Sequence, residues 1–181
     1  MKERILTSLL TVFVISGIQA QAPSPVPRLV VGLTIDQLRA DYIEAFSALY
    51  GERGFKRLLK EGRIYTNAEY DFINVDRSSA TASIYTGTTP YYNGIPSNRW
   101  MDRGSLRIIK SVDDQDFMGV YTSESSSAKL LRCSTLSDEL KVATQGRAEV
   151  YSIAPTREMA ILAAGHAANG AFWLNDENGK W

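Results

Sequence analysis

The chain holds a single cysteine, Cys133, and a single histidine, His166, among 181 residues. One cysteine excludes an internal disulfide. One histidine excludes a histidine-rich metal site built from these residues alone. Net charge is missing as well, since 20 Lys and Arg balance 20 Asp and Glu. No bulk attraction to nucleic acid or to an acidic membrane surface is therefore indicated. Long apolar runs are also scarce. The run from Ile5 to Ile18 is too short for a stable membrane span.

That run has another reading. Lys2 and Arg4 precede it, and Ala20 and Ala22 follow it as small residues for cleavage. A basic start, an apolar middle and a small-residue exit describe a cleaved secretory signal over residues 1–22, with an uncleaved anchor as the alternative. No cysteine lies near the cut, which excludes a lipid-anchored variant. The expected location is periplasmic or secreted. Residues 23–28 form a Pro-rich spacer.

The remainder alternates between strand and helix signals. Residues 29–35 are nearly all apolar and rich in β-branched side chains, which predicts a strand buried on both faces. Asp36 then stands at its carboxyl end, the edge where open α/β sheets hold ligands. Apolar spacing predicts helices over 37–50 and 55–60, the second stopped by Gly62. Residues 64–73 alternate as a strand. The small residues of 78–86 suit a helix packed close behind a loop, and Pro90, Gly94 and Pro96 make 88–100 a loop. Residues 104–133 show no clear period, and 123–127 read as polar surface loop. A helix over 135–144 capped by Ser134 or Thr135, a strand over 148–154, a helix over 157–163, a strand from 171 and a turn at 176–179 complete the chain. The alternation indicates an α/β fold with a mostly parallel central sheet and helices on both faces.

Four segments carry a resemblance: LVVGLTIDQLRADY at 29–42, YGERGFKRLLKEG at 50–62, SIYTGTTPYYNGIPSNRW at 83–100 and ILAAGHAANGAFWLNDENGK at 161–180. Together, in this order and spacing, they resemble the secreted monoesterase branch of the alkaline phosphatase superfamily. That branch neighbours the type I phosphodiesterases and nucleotide pyrophosphatases. The resemblance implies that 29–181 is the N-terminal part of a catalytic domain, its sheet incomplete in this chain. It also implies a phosphate-ester substrate and two zinc ions, with most metal ligands in sequence beyond Trp181. Two metals suit an in-line displacement, because one activates the attacking oxygen and the other steadies the leaving one. A Thr or Ser at a helix N-terminus attacks phosphorus in this family. The helix end supplies N–H groups and a positive dipole for the phosphate oxygens.

Carried over by position, Asp36 falls on the first metal-ligand aspartate; on the residues alone it also reads as a cap for the next helix. Asn98 falls on the asparagine that contacts a phosphate oxygen, or else is a loop Asn satisfying its own turn. The nucleophile position is Arg77, ten residues before Gly87. Arginine stays cationic and cannot attack, but it binds anions bidentately. Ser78 would serve if the loop slipped by one residue; otherwise Ser78, Ser79 and Thr81 are a cap and small packing residues. The Lys and Arg that clamp a monoester in this branch align with Thr156 and Glu158, and Arg157 lies between them. A diester, with less charge, needs less of such a clamp. Two readings follow: a secreted metal-dependent phosphoester hydrolase, and a phosphate-ester-binding protein without turnover.

His166 reads as structural. Asp71, Asp76 and Asp102 read as loop carboxylates, and Trp100, Phe172 and Trp173 as core or rim.

Overall fold

A computed structural model describes residues 27–176 and 178–181. The expected signal segment 1–22 and most of the spacer lie outside these. Contacts divide the chain into Met1–Gly32 and Leu33–Trp181. Within the first, residues 27–32 are irregular and exposed. The architecture that follows is that of the second.

Helix α1 spans Ala40–Ala45 and runs into a single 3-10 turn, Ser47–Leu49. The periodicity of 37–50 thus yields two short pieces, joined where Phe46 leaves helical geometry. Helix α2, Phe55–Glu61, ends at Gly62. Helix α3, Arg77–Thr86, is the best-specified element. Asp76 caps it in a reciprocal box with Ser79, and Gly87 closes it in the left-handed region at φ 67°.

Helix α4, Pro90–Asn93, occupies part of the stretch expected to be loop; Pro90 opens it, a position where the missing N–H costs nothing. Strands β1, Arg99–Asp102, and β2, Arg107–Lys110, form an antiparallel hairpin. Asp102 turns it by accepting from the Ser105 amide and hydroxyl. Strand β3, Asp113–Met118, pairs irregularly with the two-residue β4, Ser125–Ser126.

Helix α5, Leu136–Ala143, is capped by Thr135. Strands β5, Tyr151–Ala154, and β6, Gly170–Trp173, run parallel, joined by helix α6, Arg157–Ala164. This β5–α6–β6 crossover is the parallel α/β unit of the described residues. The two other sheets are antiparallel pairs.

The strand expected over 29–35 is not formed. All six described strands are used up in three pairs, so no ladder flanks this segment. A strand buried on both faces requires such neighbours. Leu33 is 78% exposed instead. Asp36 accordingly sits in a turn, with Gln37 at φ 59°, and not at a strand end. Residues 64–73 are likewise irregular with bends, and Ile73 is 89% exposed.

The core lies where α3 packs on α6. Ala82 of α3 meets Ile161 and Leu162 of α6, with Ile95, Val112 and Leu131 filling the remaining space. Small side chains at Ser78, Ser79, Thr81 and Ala82 let the two helices approach closely. Trp100 and Trp173 close the edges of this cluster. Full burial of Leu162 contributes about 2 kcal/mol. Ile153 and Phe172 remain 70% and 46% exposed on the β5–β6 pair, an uncovered sheet face as expected for an incomplete sheet.

Candidate functional site

The N-terminus of α3 gathers the candidate residues. Asp76 organises it. Its Oδ1 accepts from the Ser79 amide at 2.9 Å and the Ser79 hydroxyl at 3.0 Å. Its Oδ2 accepts from the Ser97 hydroxyl at 2.7 Å and the Asn98 amide at 2.6 Å. One carboxylate therefore caps the helix and fixes the 97–98 loop beside it. Burial alone would raise the Asp76 pKa, but these four donors outweigh it and hold the carboxyl below its ordinary value. The loop carboxylate expected here is thus the anchor of the site. The Asp-x-x-Ser spacing before a run of small residues was the available signal.

The loop in turn brings Asn98 onto the helix. Asn98 Oδ1 accepts from the Ser78 amide at 3.0 Å, and the Asn98 carbonyl accepts from the Ser111 amide at 2.9 Å. With Oδ1 committed, the free donors of Asn98 are those of Nδ2, which has no hydrogen-bond partner among the described residues. A side-chain amide in that state offers N–H groups to an oxyanion without titrating.

Arg77 opens α3 and reaches across to the 33–39 segment. Its Nε donates to Asp36 Oδ2 at 2.9 Å, and both side chains are 39% exposed. Thr34 Oγ1 and the Tyr85 hydroxyl, 3.3 Å apart, tie the same segment to the far end of α3. Asp36 does not cap α1. The cap position there is Arg39, with no side-chain bond to the helix. Tyr70 also feels Asp36: burial first, then the Asp36 charge, raise its phenol above the ordinary value. Tyr70 lines a cleft of about 520 Å³ with Phe72, Ser83 and Ile84, open beside the helix.

Ser78 points inward. Its side chain is fully buried, and its Oγ shares a hydrogen bond with Ser111 Oγ at 2.9 Å. It is the second residue of a helix whose first turn is locked by Asp76. A one-residue slip would break that cap. Ser78 therefore faces the core in the position of a structural hydroxyl. Thr81 Oγ1 is used within the helix, donating to the Arg77 carbonyl at 2.7 Å. Ser79 serves the capping box. Sequence reasoning missed Ser111 because nothing in 104–133 marks it as buried.

The structure places the 156–158 positions at the start of α6, where Thr156 stands at the cap without a cap bond. Arg157 does not replace the missing clamp. Its guanidinium is 8% exposed and committed to Asp113 at 2.7 Å, Glu124 at 3.3 Å and Glu158 at 3.7 Å.

His166 is partnered on both ring nitrogens, with Asp138 Oδ2 at 3.0 Å and the Leu131 carbonyl at 2.9 Å. Both carboxylate oxygens of Asp138 are occupied by Thr135, His166 and Ala167. The histidine is a joint between α5 and the 131 and 166 loops.

A pair of metal ions needs several ligands around each ion. Among the described residues no three His, Cys, Asp or Glu side chains come together for one. Asp36 belongs to no such group, and Arg77 holds one of its oxygens. The described residues do not by themselves fit a metal pair.

Comparison with known proteins places the chain in a family. Residues 30–180 match the type I phosphodiesterase / nucleotide pyrophosphatase family. The chain is 40% identical over 158 residues to alkaline phosphatase PhoV of Synechococcus elongatus, covering 86% of this chain and 29% of that protein. It is 37% identical over 180 residues to alkaline phosphatase PafA of Elizabethkingia meningoseptica, covering 96% of this chain and 33% of that one. The crystal structure of wild-type PafA superposes with a TM-score of 0.82 at 35% identity, over 86% of this chain and 31% of that structure. The chain thus spans about a third of the length of the relatives it matches. With the family matched across nearly all described residues, this chain belongs to the type I phosphodiesterase / nucleotide pyrophosphatase family and, with it, to the alkaline phosphatase superfamily.

Proposed function

We propose that the complete protein is a secreted, metal-dependent phosphoester hydrolase, and that this chain supplies the phosphate-facing end of α3 with Asp36, Arg77 and Asn98. One observation supports this best: Asp36 and Asn98, 41 and 20 residues from their partners, both bind the first two residues of the same helix. Asp36 is read as one metal-ligand carboxylate. Asn98 Nδ2 and the Nη groups of Arg77, which have no partner among the described residues, are read as donors to the ester's oxygens, Arg77 in fork geometry. The zinc ions rest on the family likeness alone.

The site favours a diester. A monoester dianion needs added cations, and the start of α6 offers Thr156 and Glu158 with Arg157 sequestered. Glu158 would repel a dianion at short range. The test is hydrolysis of bis-nitrophenyl phosphate and nitrophenyl phosphate by the full-length protein, with zinc and after chelation. Zinc-dependent turnover favouring the diester is expected. Absence of turnover on both esters would refute the reading.

The burial of Ser78 and the engagement of Arg77 favour a second reading, a phosphate-ester-binding protein without turnover. It expects saturable binding of a non-hydrolysable phosphonate ester with no hydrolysis. It further expects Arg77→Thr to restore activity.

A further inference from the structure

We propose that the β1–β2 hairpin docks this protein onto an anionic phospholipid surface, its outward apolar side chains entering the interface and its cations meeting the headgroups. The proposal goes beyond the hydrolase reading and does not depend on it. It stands on the register, exposure and charge of residues 99–110.

That stretch carries Arg99, Arg103, Arg107 and Lys110 against one acid, Asp102, in a chain of zero net charge. Asp102 is committed to the turn through Ser105. None of the four cations has an ion-pair partner among the described residues. The register even sets two of them together, with Arg99 directly opposite Lys110. Like charges facing each other across a ladder destabilise it, and an anionic surface removes that penalty. The neighbouring pair, Trp100 with Ile109, lies on the inner face, where Trp100 packs against the core. The next pair returns to the outer face: Met101 opposite Ile108, 59% and 60% exposed. Leu106, 75% exposed, continues the apolar strip into the turn, with Arg103 and Arg107 exposed on either side. Apolar side chains flanked by cations suit a lipid interface, because the former enter the acyl boundary while long cationic stems reach the phosphates. A soluble polyanion matches the cations but leaves Met101, Leu106 and Ile108 in water. The hairpin is closed at its base by the Asn98 carbonyl, which accepts from the Ser111 amide at 2.9 Å. Asn98 also holds the first turn of α3 through Ser78. Docking by Arg99 and its neighbours therefore sets the start of that helix beside the lipid surface.

The test is co-sedimentation of the full-length protein with vesicles of phosphatidylcholine alone and of phosphatidylcholine holding about one quarter phosphatidylglycerol. Wild type is expected to bind the anionic vesicles at least about tenfold more strongly, and to lose most of that gain in high salt. Arg99→Gln with Lys110→Gln is expected to weaken binding about thirtyfold. Met101→Ser with Ile108→Ser is expected to weaken it about tenfold or more. Tyr121→Ser, at a 97% exposed ring outside the hairpin, is expected to stay within about twofold of wild type. Lys110→Glu separates docking from folding, because it sets an acid opposite Arg99. Its binding is expected to fall about thirtyfold with a melting temperature equal to or above that of wild type. Equal binding to the two vesicle types overturns the proposal, as does wild-type binding by Lys110→Glu or an equal loss in Tyr121→Ser. Saturable binding to heparin without vesicle binding also overturns it and assigns the hairpin to a soluble polyanion. No turnover is read, so the outcome is independent of the ester hydrolysis test.

Discussion

His166 Nδ1 lies 3.0 Å from Asp138 Oδ2, while its Nε2 lies 2.9 Å from the carbonyl of Leu131. Both partners accept, so only the imidazolium, with a proton on each nitrogen, satisfies both contacts. Burial would push the ring's pKa down, but the hydrogen bonds to Asp138 and Leu131 and the Asp138 charge outweigh it and raise it above 6.5. A raised value in the folded state means stability that is fully present below 6.5 and lost as pH rises through the folded value. Melting temperature should therefore fall as pH rises above 6.5 in the wild type and stay flatter in His166→Gln. The Asp138 pKa is shifted the other way: burial raises it, the donors around it lower it further, and the net is a depressed value. Its contribution is lost only as pH falls below 3.8. Parallel pH profiles for the two proteins between 6 and 8 would remove His166 from the stability account.

Gly165 shares this joint. At φ 79° it occupies backbone that side chains rarely adopt, and a Cβ would collide with the Thr135 hydroxyl and sit 2.7 Å from Asp138 Oδ2. Both atoms belong to the α5 capping box and cannot give way freely. Gly146 provides the control, with φ 80° and nothing within 4 Å of its Cβ. Gly146→Ala should cost about 1 kcal/mol from backbone alone. Gly165→Ala should cost about 3 kcal/mol or more, adding the displaced cap. Urea denaturation of both variants measures the difference, and equal losses would mean the joint is soft.

The parts of the fold that were legible in sequence are those set by local rules. The α3, α5 and α6 helices, and β5 with β6, follow from capping residues and short apolar runs. Residues 29–35 and 64–73 have strand composition but no strand partners, and pairing is a non-local property that composition cannot supply. The β1–β4 ribbons were illegible for the opposite reason: Asp113–Met118 is largely polar and exposed, so it lacks the alternation that marks a half-buried strand. In the site, the family resemblance pointed to Asp36, Arg77 and Asn98, and no local rule did so for the last two. The bond between the first two, and the inward turn of Ser78 onto Ser111, depend on side chains brought together from 41 and 33 residues away.

Ser78→Ala tests that inward turn. If the hydroxyl only pairs with Ser111 in the core, its removal leaves any ester turnover of the full-length protein within about twofold of wild type. Stability should drop by about 1–2 kcal/mol, because Ser111 loses its buried partner. Ser78→Ala with Ser111→Ala should recover part of the loss, since both polar atoms then leave the core together. A loss of activity of about a thousandfold with unchanged stability would instead make Ser78 the nucleophile.

Arg157 offers the largest single effect. It is 8% exposed, holds Asp113, Glu124 and Glu158, and leaves its Nε buried without a partner among the described residues. The three acids come from β3, the 119–124 loop and α6, so the guanidinium joins the β3–β4 pair to the crossover helix. Removing it strands like charges around a hole of its size. The acids are 46%, 46% and 25% exposed, and water relieves part of the strain. Arg157→Leu should therefore cost about 2–4 kcal/mol, somewhat below a fully buried pair broken on one side. Arg157→Lys should recover about half, because an ammonium keeps the charge but loses the planar fork. One signature separates this from simple loss of packing. Added salt should stabilise the Leu variant more than the wild type by screening the three acids. A gap that ignores salt would show that Arg157 acts through its bulk, and that its carboxylate partners are bystanders.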